Sequence, residues 1–336
     1  MRLLVLGGTH HVGRAVVETA LARGDQVTTL TRGVSGAPTA GAQSRYADRT
    51  DLRQLRSALG DDTWDAVIDT WSLAPRVVRD SAALLADRAD YYGYVSSRSV
   101  YRWPIPPRAD ENAPVVDGDP VSEDAADYAA AKRGGELAAL ERFAGRSVLA
   151  RAGLILGPYE LVGRMPWWLR RIERAGDPQH RDVLAPGPPD RALQYIDCRD
   201  LAAWLLHAAD EGIAGAFNAV SQPGHATMRS LLDAAIAATG SDARLIWVEP
   251  EVIEAAGIEP WTELPVWAPP YGEAASLHDG EVSAAYAAGL TCRPVEQTVM
   301  DTWRWLQAEG DPPVSQRGPR HGLDPGKERR VLASLR

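Results

Sequence analysis

Arg2-Leu3-Leu4-Val5-Leu6-Gly7-Gly8-Thr9-His10-His11-Val12-Gly13 opens the chain, and its reading decides the fold. A short apolar run, a glycine turn and an amphipathic stretch from Arg14 to Ala22 spell strand, turn, helix. Glycine lets the backbone turn sharply. It also lets an anion approach the N–H groups at a helix N-terminus, where the dipole favours negative charge. Directly after an N-terminal strand, such a turn reads as a cradle for the pyrophosphate of a dinucleotide. Gly7, Gly8, Thr9, His10, His11, Val12 and Gly13 are its candidate residues. His10 stands where the strict G-x-G-x-x-G spacing would require glycine.

Two later stretches supply reactive groups. Tyr94-Val95-Ser96-Ser97-Arg98-Ser99-Val100-Tyr101 is a serine-rich strand end, and Tyr128-Ala129-Ala130-Ala131-Lys132 follows in an alanine-rich, proline-free run. That run predicts a helix over 123–143, with the tyrosine and lysine on one face. A free phenol ionises near about pH 10, and a nearby cation pulls that value down, so the lysine is expected to act on the phenol directly. Such a tyrosine can exchange a proton with a carbonyl oxygen. Strand ends line the ligand crevice of open α/β sheets, which places the serine hydroxyl in the same crevice.

Glycine loop, Ser97, and Tyr128 with Lys132, in this order, resemble the extended short-chain dehydrogenase/reductase superfamily. Within it the chain looks like the NAD-dependent epimerase/dehydratase branch, whose opening reads G-G-T-x-x-V-G. Trp64-Asp65-Ala66-Val67-Ile68-Asp69-Thr70 resembles the family's fourth strand. Arg151-Ala152-Gly153-Leu154-Ile155-Leu156-Gly157-Pro158 is similar to the passage into its substrate domain, and Gln194-Tyr195-Ile196-Asp197-Cys198-Arg199-Asp200-Leu201 to the return. The motifs are clear to about Val220 and thin afterward. The resemblance implies an α/β fold, a Rossmann-type doubly wound parallel sheet with a smaller, irregular C-terminal substrate lobe. It makes Ser97 the hydrogen-bond donor to the substrate oxygen, Tyr128 the proton exchanger, and Lys132 the group that lowers the tyrosine value and holds the nicotinamide ribose. Ser97 is chosen over Ser96 and Ser99 because the family's serine stands four residues before the tyrosine that is here Tyr101.

Cofactor preference is read at the second strand, Gln26 to Thr31. NAD-selective folds usually place Asp or Glu at that strand end, whereas here Thr31-Arg32-Gly33 is basic. A guanidinium pairs with a 2′-phosphate and stacks on adenine, so Arg32, helped by His10, favours NADP over NAD. Asp48 and Arg49 resemble the family's adenine-contacting position; a loop Asp serving the helix that begins near Asp51 is the competing reading. Thr70 and Trp71 look like the cofactor-proximal loop, with Trp71 walling the nicotinamide side.

The 336 residues, 45% of them hydrophobic, suffice for two unequal lobes. The expected division is 1–156 for the dinucleotide-binding domain, rejoined at about 191–220, with 157–190 and 221–310 as the substrate lobe. Residues 311–336 read as a linker and a C-terminal docking helix. A net charge of -9 disfavours nucleic-acid binding. No stretch of about 18 apolar residues spans a membrane, and the first strand leaves no room for a signal peptide, so a cytoplasmic location is expected. Cys198 and Cys292 read as buried thiols, and no metal-ligand spacing occurs. Met165, Trp168, Leu169 and Ile172 form an apolar helical stripe read as core, with Arg164, Arg170, Arg171 and Arg174 as a solvated face. The segment 250–270, with Trp261 and Trp267, reads as an irregular wall beside a pocket or as plain packing.

One catalytic set serves reduction, oxidation, epimerisation and dehydration. Related dehydratases follow the catalytic hydroxyl with acidic residues, whereas Arg98 and Ser99 follow Ser97; sugar-nucleotide epimerases carry an asparagine after the sixth strand, and the run 151–157 has none. The leading expectation is therefore NADP(H)-dependent interconversion of a carbonyl and an alcohol on a small, cyclic metabolite. A nucleotide-sugar epimerase that reuses bound cofactor is the alternative, and a non-catalytic nucleotide-sensing protein the third. By analogy with extended members, a homodimer is the expected assembly.

Overall fold

A computed structural model describes residues 1–34, 36–177, 180–312 and 321–335. In the first half, β1 (Arg2–Leu6), α1 (His11–Ala22), β2 (Gln26–Thr31), β3 (Gln43–Tyr46), α2 (Leu52–Leu59), β4 (Trp64–Asp69), α3 (Pro75–Leu85), β5 (Ala89–Ser97), α4 (Tyr128–Phe143) and β6 (Ser147–Ala152) follow one another. Next come β7 (Leu154–Leu156), α5 (Arg164–Glu173), β8 (Asp182–Pro186), β9 (Ala192–Leu193), β10 (Tyr195–Asp197), α6 (Cys198–Asp210) and β11 (Gly215–Ala219). The chain continues through β12 (Ala226–Thr227), α7 (Met228–Thr239), β13 (Arg244–Val248), α8 (Pro250–Ala255), α9 (Ser283–Ala287), α10 (Val295–Glu309) and α11 (Pro325–Ser334).

Seven strands form one parallel sheet in the order β11-β6-β5-β4-β1-β2-β3. The order reverses at β1, where β2 lies on one side and β4 on the other. That switch point opens the crevice in which such sheets bind ligands. Leu3, Leu4 and Val5 of β1 and Ala66, Val67 and Ile68 of β4 are fully enclosed, because helices cover both faces and central parallel strands become apolar throughout. One face packs α1 and α6 through Val16, Val17, Leu201 and Leu205. The other packs α2, α3 and α4 through Leu55, Val78, Ala82 and Phe143.

The helix predicted from residue 123 starts instead at Tyr128. Upstream, Asp124 N–H donates to Ser122 Oγ at 3.1 Å and Ala126 N–H to Asp124 Oδ1 at 2.8 Å. Short polar side chains there offer the backbone a local alternative to helix. Asp127 then caps α4 by accepting from Ala130 N–H at 3.0 Å.

The second core lies around α5, α7 and α10. Met165, Trp168, Leu169 and Ile172 are wholly buried in it, as expected of the stripe. The arginine face is not simply solvated. Arg171 is buried against Glu328 of α11, and Arg164 pairs with the enclosed Glu160. Part of 250–270 is the regular α8, and Trp267 is sealed in the core with its indole N–H on Gly187 O at 2.9 Å. Ala285 and Leu290 join the sheet-side core, where Trp204 Nε1 donates to Ala288 O at 2.9 Å. The stretch from Ala285 to Cys292 thus returns to the nucleotide half, before α10 rejoins the second core. Within the expected 311–324 linker, residues 313–320 lie outside the described residues. Among the described residues, no helix is long and apolar enough to cross a membrane and no cluster of His, Cys, Asp and Glu could hold a metal.

Candidate active site

The glycine turn lies where β1 ends at the switch point. Gly7 takes φ +128° and donates its N–H to Leu30 O at 3.0 Å, a conformation that side chains rarely tolerate. A Cβ on Gly13 would stand 2.7 Å from the Gly8 nitrogen, so only glycine lets helix and turn close to this distance. His10 precedes α1 without any side-chain cap. The first-turn N–H groups are therefore open to an anion, and the cradle fits a pyrophosphate. The two histidines diverge. His10 lies half-buried against the loop at Gly36, with burial and the Arg14 charge holding its pKa down. His11 begins the helix at φ +41° and turns toward Leu156, Glu160 and Arg164, with burial pushing its pKa down.

A cleft continues from the turn over the neighbouring strand ends. It gathers Gly7 and Thr9 from the turn, Arg32, Asp48 and Arg49 from the ends of β2 and β3, and Thr70 and Trp71 from the end of β4. Thr70 Oγ1 donates to Leu6 O at 3.1 Å, tying the fourth strand end to the first. Arg49 is not a free contact residue: its guanidinium turns inward and grips Asp69 with two bonds of 2.7 Å, beneath the Trp71 ring. Asp48 spends Oδ1 on Thr50, accepting from its N–H at 2.9 Å and its hydroxyl at 2.7 Å, and Asp51 is the cap of α2. Arg32 is exposed at the lip, and its charge helps hold the Asp48 carboxyl below its usual range after the two Thr50 bonds.

Further along the sheet edge, β5 delivers the serines. Side chains alternate across a strand, and Ser96 is buried with its hydroxyl on Glu136 Oε1 at 2.7 Å. Ser97 takes the opposite direction, toward the crevice, and donates to Ser99 Oγ at 3.1 Å. Tyr128, the first residue of α4, brings its phenol beside Ser97. The residue is 48% exposed, yet burial pushes the phenol pKa up. The Ser97 hydroxyl and the Arg164 charge oppose that rise.

Lys132 is placed differently from expectation. Its ammonium does not act on the phenol. It donates 2.7 Å bonds to Trp71 O and Val95 O and lies 4.9 Å over the Tyr94 ring. Burial lowers its pKa to about 7. The helical spacing set both groups on one face, but two strand-end carbonyls outcompete the phenol for the cation. The positive charge that the phenol does feel comes from Arg164 in α5, a cation the sequence reading assigned to a solvated face. No local pattern could have found it, since it reaches the site only when the second lobe packs on the first.

A doubly wound parallel sheet with an uncapped glycine turn at its switch point is the architecture of dinucleotide-binding proteins. The sequence matches the NAD dependent epimerase/dehydratase family over residues 3–219, and the chain belongs to that family. Comparison with curated protein sequences gives no match. Solved structures share the fold at low identity. WbmG of Bordetella bronchiseptica, in complex with NAD and UDP, has TM-score 0.66 and 16% identity, covering 95% of this chain and 99% of that one. The UDP-glucose 4-epimerase of Thermus thermophilus, in complex with NAD, has TM-score 0.64 and 18% identity, covering 92% and 100%. A Burkholderia cenocepacia protein has TM-score 0.68 and 20% identity, covering 91% and 98%.

Proposed function

We propose that the chain is an NADP(H)-dependent oxidoreductase that interconverts a carbonyl and an alcohol on a small metabolite, with Tyr128 as acid/base. The observation that carries this reading is the meeting of Ser97 and Tyr128 at the sheet edge, one strand end from the nucleotide cleft. The bound nicotinamide supplies or accepts the hydride. Ser97 donates a hydrogen bond to the substrate oxygen and holds it against the phenol. In the reducing direction Tyr128 gives that oxygen its proton; in the oxidising direction it takes the proton back. The raised phenol pKa keeps Tyr128 in its protonated form near neutrality, the form that the reducing direction consumes. Lys132 is assigned the ribose beside the nicotinamide, and Gly7, Gly8 and the first turn of α1 the pyrophosphate.

Arg32 at the cleft lip supports NADP, since a guanidinium meets a 2′-phosphate with charge-assisted bonds. A second reading, epimerisation with the cofactor retained, is favoured by one observation: WbmG is described with NAD and UDP, and the Thermus thermophilus protein as a UDP-glucose 4-epimerase. Stoichiometric loss of NADPH absorbance on addition of carbonyl substrates separates the two, because an epimerase shows no net turnover. Tyr128→Phe is expected to lower the rate by about 10²- to 10⁴-fold while leaving NADPH binding intact. Undiminished function in that variant would instead identify a nucleotide-sensing protein.

A further inference from the structure

Four arginines of the described residues are more than nine-tenths buried. Arg49, Arg151 and Arg171 each face a carboxylate at hydrogen-bond distance, on Asp69, Glu136 and Glu328. Arg98, 6% exposed, faces none. It follows Ser97 directly in the chain, and its Nη1 donates to Gln194 Oε1 at 3.2 Å and Leu277 O at 3.1 Å. Nε and Nη2, the two-nitrogen edge of the guanidinium, are buried without a partner. That edge is the fork that grips a carboxylate or phosphate with two parallel bonds.

A second cation adjoins it. Arg191, from the loop that leads into β9, donates Nη2 to Ala275 O at 2.8 Å and leaves Nε buried and unpaired. Asp279 acts on both arginines and Glu111 on Arg98, neither within ion-pair distance, and burial lowers both arginine pKa values. His278 feels both charges as a neutral ring: its Nδ1 accepts from Gln194 N–H at 3.1 Å, and burial, with the two guanidinium charges, holds its pKa at about 3. A guanidinium taken out of water with no carboxylate in contact is costly, because no close opposite charge repays its desolvation. A preset and unanswered fork, on the residue that follows Ser97 in the chain, fits an anion that arrives with the substrate.

We propose that the substrate carries its own anionic group, a carboxylate or a phosphate, which docks on the free Nε–Nη2 edge of Arg98 with Arg191 beside it. The proposal rests on the reading of Ser97 and Tyr128 as the reacting pair. It narrows the substrate to a charged carbonyl or hydroxy compound, anchored by its anion next to the carbon that reacts.

Calorimetric titration of the full-length protein with malonate, inorganic phosphate and uncharged malonamide tests it. One of the two anions should bind at a single site while malonamide does not, and the stronger of the two identifies the group. Arg98→Met should weaken that anion at least about tenfold, yet melt no lower than the parent protein without anion, since an unpaired buried charge has gone. Gly280→Ala supplies a second variant with Arg98 retained: its Cβ would stand 2.6 Å from the Arg98 Cζ and should likewise weaken the anion. Tyr128→Phe should bind the anion as the parent does. Absence of anion binding, or unchanged binding in Arg98→Met, overturns the proposal. So does a lower melting temperature in that variant with no anion effect, which would make Arg98 a structural strut. Persisting NADPH oxidation with a neutral carbonyl compound, without anion binding, defeats this inference alone; anion binding without any carbonyl turnover defeats the oxidoreductase reading alone.

Discussion

Arg32 and Asp48 both line the cleft, and the Arg32 charge acts on the Asp48 carboxyl; in the proposed reading their balance sets nucleotide choice. Asp48 is already engaged by Thr50, while Arg32 remains exposed at the lip. Arg32→Ala should weaken NADPH by up to about 2 kcal/mol and leave NADH nearly unchanged; equal losses in a fluorescence titration would refute the NADP preference. Lys132 offers a pH test. Its folded pKa of about 7 lies below the unfolded value near about 10.4. Between these two values the unfolded chain holds the extra proton, so this group makes the cofactor-free protein more stable as pH rises, and contributes no slope below the folded value. Lys132→Met should remove that rise from melting curves measured between about pH 7 and 10.

At the level of elements, the start of α4 matters most, because Tyr128 is its first residue. Asp127 fixes that start through Ala130 N–H, and it does so after a run whose own side chains hold the backbone out of helix. Asp127→Ala should cost about 1 kcal/mol of stability and, by loosening the first turn, reduce turnover more than the lost stability alone explains. A rate unchanged beside the lower melting temperature would show that the phenol is positioned from elsewhere. The element boundaries show how far local reading reaches. The β1 and β2 runs end where hydrophobicity ends, since their burial follows from their own residues. Composition sets the start of α4 too early, at residue 123 rather than Tyr128, because an alanine-rich run is a weaker signal than the Ser122 and Asp124 turns that precede it.

For the whole molecule, the joint between the lobes sets which charges reach the candidate site. Arg164 comes from α5 to act on Tyr128, and Arg191 and His278 come from the second lobe to meet Arg98 beside Ser97. The C-terminal helix is part of that second core through Glu328, which accepts from Arg171 and from Leu184 N–H. Glu328→Ala leaves Arg171 buried without its partner and should lower stability by about 3–5 kcal/mol; a melting temperature within a degree of the parent would disprove the role given to α11. The parallel sheet, the glycine cradle at its switch point, and the hydroxyl and phenol offered at the edge were all legible in the chain, because each is written in contiguous residues whose burial and turn chemistry are local. Which charge each of those groups feels was settled by the packing of the lobes. Lys132 went to the carbonyls of Trp71 and Val95, Arg49 to Asp69, and Arg98 to no carboxylate at all, since electrostatic partnership depends on distance across the fold and on what burial leaves within reach.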